Sequence, residues 1–238
     1  MPATPSSHTS GRVALISGAN RGIGLAIAHA LADQGWSLSL GVRDPSKPME
    51  APDGAMVHRF DATDPSSEKA WAEATAERFG RIDAVIANAG IMIPKTVIEA
   101  DDADIDALMQ VNVKSPLRLV QAAWPWLTAS GRGRVVTIVS LSGKRVKSAR
   151  SGTYALSKFA AMALTHSIRH AGWDHGIRAT AICPGYVATD MSANLTNRAP
   201  EDITQPADIA RTVAFVLDLP NTSSITEVPI NSTLEDML

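Results

Sequence analysis

Ser17-Gly18-Ala19-Asn20-Arg21-Gly22-Ile23-Gly24 follows a short apolar run at 13–16. It leads directly into Leu25, Ala26, Ile27, Ala28 and Ala30, good helix formers that stop at Gly35. Strand, glycine turn and helix in immediate succession form a phosphate cradle. The glycines permit a tight turn and close approach of backbone to a pyrophosphate, and the helix N-terminus adds free N–H groups and positive dipole. Gly18, Gly22 and Gly24 give the spacing G-x-x-x-G-x-G, which differs from the G-x-G-x-x-G of other dinucleotide folds. Plain tight turns also collect glycine; it is the position between strand and helix that favours phosphate.

The same alternation runs outward from this turn. Further strands are expected at 38–42, 56–60, 82–87, 134–139, 179–183 and 226–230, and helices at 66–79, 104–128, 153–170 and 208–217. Asp101, Asp102 and Asp104 cap the long helix, and Pro116 and Pro125 are expected to kink or shorten it. Continuous apolar strands separated by helices imply a sheet covered on both faces. The expectation is an α/β fold: one doubly wound, mostly parallel sheet of about seven strands, Rossmann-type, in a single domain over 11–238. Residues 1–10, rich in Pro, Ser and Thr, are read as a disordered tail. Ligands of such sheets sit at the carboxyl ends of the strands.

Composition narrows the function classes. The 238 residues are 45% hydrophobic and 19% charged, with net charge −2, which argues against disorder and gives no electrostatic case for nucleic acid. A single cysteine, Cys183, excludes an intrachain disulfide and points to a reducing compartment, expected to be the cytoplasm. No apolar run approaches the roughly 18 residues of a membrane span. The first ten residues lack the basic and apolar regions of a secretory signal. Six histidines are scattered without metal-ligand spacing, so no metal is expected. Only two tyrosines occur, Tyr154 and Tyr186.

The end of the second strand bears on the cofactor. NAD sites place an acidic side chain there for the ribose 2′-hydroxyl. Here the strand ends Leu40-Gly41-Val42-Arg43-Asp44. No carboxylate precedes Arg43, whose fork suits a 2′-phosphate, and Arg21 is a second cation in the same region. NADP(H) is therefore preferred. Asp44, one residue on, keeps NAD(H) as the alternative, and solvated loop arginines are the simpler reading of both cations.

Downstream of the fifth strand, Tyr154-Ala155-Leu156-Ser157-Lys158 puts a phenol and an ammonium four residues apart on one helix face. An adjacent ammonium favours the phenolate, so the tyrosine pKa is expected to shift down from its usual value near 10. Ser140, at the end of the fifth strand, is placed to share a substrate oxygen with it.

In this combination the chain resembles a short-chain dehydrogenase/reductase of the compact single-domain kind, from Gly11 to about Asp218. The turn is similar to the family's T-G-x-x-x-G-x-G, with Ser17 for the usual threonine. The resemblance implies cofactor contacts at Gly18, Asn20, Arg21, Gly22, Ile23, Gly24 and Arg43. Asp61 and Ala62 match the adenine-contacting pair. Asn88, Ala89 and Gly90 match the N-N-A-G that ends the fourth strand, with Ala87 for its first Asn. Pro184, Gly185, Val187 and Thr189 match the segment that binds the nicotinamide amide. Asn112, Ser140, Tyr154 and Lys158 match the catalytic set, with Asn112 holding a water for proton relay and Lys158 also reaching the nicotinamide ribose. Ser142, Tyr186 and Met191 are read as substrate residues, and Ser142 remains a second candidate for the role given to Ser140.

The implied reaction passes hydride between nicotinamide and a small carbonyl or alcohol substrate, with Tyr154 as general acid/base. The basic run Lys144, Arg145, Lys147 and Arg150 is read as a solvated loop that could also attract an anionic substrate. Trp124, Trp126 and Cys183 are assigned to packing. The helix after Tyr154 is apolar nearly all round, so a partner subunit is expected on its outer side, giving a homodimer or homotetramer. The C-terminus, Val228-Pro229-Ile230-Asn231, departs from the aspartate and paired glycines of many relatives. A non-catalytic NADP-binding regulator is the alternative from another class. It would need the glycine turn without Tyr154 and Lys158.

Overall fold

β1 (Val13–Ser17) and β2 (Ser37–Val42) consist of apolar or small residues that the structure buries almost completely. In this computed structural model, which describes residues 11–193 and 195–234, they are interior strands of a seven-stranded sheet. The tail expected at 1–10 lies outside the described residues. β3 (Met56–Arg59), β4 (Ala84–Ala87), β5 (Arg134–Ile138), β6 (Arg178–Pro184) and β7 (Glu227–Ile230) complete the sheet in the order β3-β2-β1-β4-β5-β6-β7. Every pairing is parallel. The architecture is the expected doubly wound Rossmann type.

Helices α1 (Gly22–Ala32) and α6 (Pro206–Asp218) bury Ile27, Leu31, Ile209 and Val213 against one face of the sheet. Helix α2 (Ser67–Phe79) carries Trp71 to the other face. Leu119 and Leu127 of the helix over Ser115–Ala129 and Ile168 of the helix over Gly152–Gly172 join it there. The indole of Trp71 is fully buried, and its Nε1 donates to Ser39 Oγ at 2.8 Å. A Cβ at Gly41 would come within 2.6 Å of that ring, so β2 has no room for a side chain there.

The order of strands reverses between β1 and β4. β2 and β3 lie to one side of β1, and β5 to β7 lie beyond β4, so the crevice above the β1/β4 pair is where such a sheet takes a ligand.

One boundary moved for a polar reason. β4 begins at Ala84, because the buried Asp83 carboxylate accepts the Val13 N–H at 2.8 Å and a two-point bond from Arg81 at 2.7 Å each. At the opposite end of the sheet from the crevice, Arg134 is buried, and burial pushes its guanidinium down to about 10. It donates to Asn221 Oδ1 at 2.9 Å, while Arg12 and Arg132 donate to the Leu217 and Leu219 carbonyls at 3.2 Å each. These cations cap the negative end of α6.

The long helix expected over 104–128 is instead two helices, α3 (Asp102–Met109) and α4 (Ser115–Ala129), joined by a π-turn at Gln110–Lys114. Asp101 caps α3 through the Asp104 N–H at 2.9 Å. In the π-turn the Ser115 N–H reaches back five residues to the Gln110 carbonyl. Pro116 is the local cause, since it has no N–H for the carbonyl four residues before it. α4 runs on through Pro125, whose missing bond falls at Gln121, an exposed position open to solvent. The helix carrying Tyr154 is α5 (Gly152–Gly172). Leu156 and Phe159 stay 56% and 44% exposed on its outer side.

Candidate active site

The turn after β1 is shaped by its neighbours across the crevice. Gly18 (φ 65°) and Gly22 (φ 55°) adopt the left-handed conformation that glycine alone takes freely. A Cβ at Gly24 would lie 2.4 Å from the Gly18 carbonyl and 2.7 Å from Asn88 Nδ2. Ser17 Oγ accepts the backbone N–H groups of Asn88 and Ala89 at 3.0 Å each, and the Asn88 amide donates to the Ser17 and Gly18 carbonyls at 2.9 and 3.1 Å. The ends of β1 and β4 are thus stitched together, and the serine hydroxyl does this without the family's threonine methyl. Helix α1 starts without a side-chain cap or a carboxylate in its first turn, so its N–H groups point into the crevice with no internal anion.

A cleft of about 1710 Å³ opens here. That exceeds the roughly 300–1,000 Å³ of a site for one drug-sized molecule. It extends from Gly18, Arg43 and Asp61 to Tyr154, Tyr186 and Met191. The space fits an elongated dinucleotide with a small molecule beside it, and the glycine cradle under α1 suits its phosphates.

At the β2 end, Arg43 is exposed and makes no hydrogen bond or ion pair among the described residues. Asp44 is engaged locally: its carboxylate accepts from the Ser46 N–H at 3.1 Å and hydroxyl at 2.6 Å, which holds it below the usual carboxylate range. Arg21 ion-pairs with Asp190, closing the turn over the segment after Thr189. Asp61 accepts from the Thr63 N–H and hydroxyl at 3.0 and 2.7 Å, which lower its pKa, and it lines the cleft beside Ala62.

At the other end, Tyr154 on α5 lies beside the Ser140 side chain, near enough for the serine hydroxyl to draw its pKa down; Ser140 Oγ itself donates to the Pro184 carbonyl at 3.4 Å. Ser140 Oγ also accepts the Ser142 N–H at 3.1 Å. Of the two candidate serines, Ser140 therefore meets the phenol, and Ser142 holds Ser140 while lining the cleft. Lys158 Nζ lies 5.5 Å from the Tyr154 ring centroid and donates to the Ile138 carbonyl at 2.9 Å. The expected downward shift of the phenol is corrected here. Burial pushes Tyr154 up to about 12 and Lys158 down to about 8. Both charged forms lose more hydration than the ammonium over the ring returns.

Asn112 lies in the π-turn and is 2% exposed. Its side chain is consumed: Oδ1 accepts the Ile91 N–H at 2.9 Å, and Nδ2 donates to the Ile91 carbonyl at 3.0 Å and Ser157 Oγ at 2.9 Å. The acceptor left for a water is its backbone carbonyl, to which Pro116 offers no donor. Gly90 packs on both residues. A Cβ there would be 3.2 Å from Asn112 Oδ1 and 3.6 Å from Lys158 Nζ.

Past β6, the Gly185 N–H donates to the Ile230 carbonyl at 2.8 Å, and Pro184, Gly185, Tyr186, Val187, Thr189 and Met191 all line the cleft. Thr189 packs its methyl over Gly22. Sequence reasoning missed Met92, Pro94 and Asn231 as lining residues. Their signal was positional, since the first two follow β4 and Asn231 follows β7 at carboxyl ends of strands. Cys183 is buried, and its thiol is pushed up to about 11, which leaves it inert. Among the described residues, no three His, Cys, Asp or Glu side chains gather to hold a metal ion, and no helix is long and apolar enough to cross a membrane.

Comparison with known proteins agrees with this geometry. A family profile described as short chain dehydrogenase matches residues 12–200. An agropine synthesis reductase of Rhizobium rhizogenes is 42% identical over 88% of this chain, and an uncharacterized oxidoreductase of Staphylococcus saprophyticus is 30% identical over 92% of this chain and 96% of its own length. The chain spans about half, 50%, of the agropine synthesis reductase. A Burkholderia cenocepacia short chain dehydrogenase solved with NADP superposes with a TM-score of 0.83 at 28% identity, over 95% of this chain and 98% of its own. An alcohol dehydrogenase of Thermococcus sibiricus, complexed with 5-hydroxy-NADP, gives 0.81 at 28% identity over 94% and 97%.

Proposed function

The chain belongs to the short-chain dehydrogenase family and is an oxidoreductase of that family, and from that premise we propose that it is an NADP(H)-dependent enzyme interconverting a small carbonyl compound and an alcohol. The observation that carries this reading is Tyr154 with Ser140 beside it and Lys158 over its ring, in one cleft with the glycine cradle. The NADP-bound relatives support the choice of cofactor. So does β2, where Trp71 excludes a side chain at Gly41, Asp44 is tied to Ser46, and Arg43 is left for a 2′-phosphate.

The nicotinamide supplies the hydride. The chain's own residues handle the proton. With a pKa near 12 the Tyr154 phenol is fully protonated at neutral pH, the form a general acid needs. Ser140 donates to the substrate oxygen and orients it toward the phenol. As the phenol gives up its proton, the Lys158 ammonium at the ring face stabilises the charge left behind. Reprotonation runs by way of Lys158 and a water on the Asn112 carbonyl.

Tyr154→Phe tests the assignment, since it keeps the ring and removes the acid. The expected loss in kcat/KM, followed at 340 nm with NADPH and a carbonyl panel, is at least about a hundredfold. A loss within about tenfold, or 1.4 kcal/mol, excludes the role. The same reading places a second copy of the chain on the exposed Leu156 and Phe159 of α5, as a homodimer or homotetramer. A single-subunit mass by light scattering at micromolar concentration removes that part.

A further inference from the structure

The substrate end of the cleft carries a charge that the proton relay does not use. The chain is net −2. Its cleft nevertheless is lined by seven Lys and Arg residues against three Asp. Arg21, Arg43, Lys47, Asp44 and Asp61 belong to the turn and to the β2 and β3 ends, where phosphates are expected. Lys158 is the proposed relay residue. The excess at the Tyr154 end comes from the loop between Ser140 and α5. The remaining lining carboxylate, Asp190, is already paired with Arg21.

The basic run in that loop divides sharply. Lys144 is turned away into an ion pair with Glu227 on β7. Lys147 instead stands over the Tyr186 ring, 4.9 Å from its centroid, a cation–π contact that holds the ammonium beside the segment following Pro184. Arg150 is tethered on the facing side by Nε to the Pro94 carbonyl at 3.2 Å, and its other guanidinium nitrogens make no hydrogen bond among the described residues. Glu99 senses Arg150, but its carboxylate is held by the Thr96 N–H and hydroxyl at 3.0 and 2.9 Å and does not line the cleft. Two positioned cations therefore line the cleft with Tyr154, neither of them in an ion pair among the described residues, and Glu99 acts on Arg150 only from outside the cleft lining.

We propose that the cleft selects carbonyl substrates bearing a second, anionic group, a carboxylate or phosphate, and that Lys147 and Arg150 recognise that group. This rests on the carbonyl reaction proposed above. An anion there gains charge-assisted hydrogen bonds that a neutral analogue of the same shape lacks.

The test uses matched pairs: 4-oxobutanoate against its methyl ester, and glyceraldehyde 3-phosphate against glyceraldehyde. At low salt the charged member of at least one pair is expected to show a kcat/KM about tenfold or more above its neutral partner. The pair that responds identifies the anion. The ratio should collapse toward one in the Lys147→Gln/Arg150→Gln double variant and in 0.5 M NaCl, and persist in Lys147→Arg. Calorimetric titration of each compound into the protein mixed with NADP+ reads binding without turnover. Charge-selective binding without reduction refutes the reaction and keeps the anion site. Reduction with equal preference for charged and neutral partners overturns the anion site and keeps the reaction. Neither selectivity nor turnover overturns both.

Discussion

Ser17→Ala removes one oxygen from the stitch between β1 and β4. That oxygen accepts two backbone N–H groups, from Asn88 and Ala89, at 3.0 Å each, and Ser17 itself is 3% exposed. Each orphaned buried donor costs about 1–3 kcal/mol. Asn88 and Ala89 are only half-buried, so the lower end applies to each, and the expected destabilisation is about 2 kcal/mol. For a chain of this size that lowers Tm by roughly 4–8 °C. The loss should reach function too, because the same two residues shape the turn under α1. NADP+ affinity should weaken along with stability. Ser17→Thr keeps the hydroxyl and should match the wild type in both. Urea unfolding followed by tryptophan fluorescence gives the stability, and calorimetric titration with NADP+ gives the affinity. An alanine variant within 0.5 kcal/mol of the wild type would mean that water satisfies both N–H groups and that the stitch contributes nothing.

Arg43→Ala should lower the ratio of kcat/KM for NADPH over NADH by about tenfold or more, the scale of one or two charge-assisted hydrogen bonds. An unchanged ratio sinks the assignment of the 2′-phosphate to Arg43. Pro116→Ala restores an N–H four residues beyond Asn112 and competes for its carbonyl. Turnover is expected to fall about tenfold, within the range of a proton-transfer contribution, while NADP+ binding holds. Full turnover in that variant would show that the carbonyl plays no part in the relay.

Local spacing made much of the candidate site's geometry legible. Gly18, Gly22 and Gly24 act within one turn, and Tyr154 and Lys158 act within one turn of helix, so their relation survives any error in the surrounding fold. What escaped depends on residues far apart or on burial. The pairing of Arg21 with Asp190 joins positions 169 residues apart. The division of the basic loop is decided by Glu227 and Tyr186, on or near the last two strands. The direction of the phenol's shift is set by how deeply the cleft wall buries it, which helical spacing does not encode. The π-turn escaped for another reason: one extra residue in a turn leaves the hydrophobic period of a 25-residue segment almost unchanged, and only Pro116 marks the place.

β7 closes the sheet with four residues, one of them Pro229. The carbonyls of Thr226 and Ile230 accept from Ala181 and Gly185 of the β6 side. Alternate residues of a strand face opposite neighbours, so Glu227 and Pro229 present their backbones outward. The proline then deletes a donor from the open margin of the sheet rather than from its internal ladder. A foreign strand laid along this margin meets a missing N–H and the rigid pyrrolidine ring, which discourages runaway strand addition in a concentrated protein stock. The short β3 at the far margin, bearing Arg59, offers equally little length to copy.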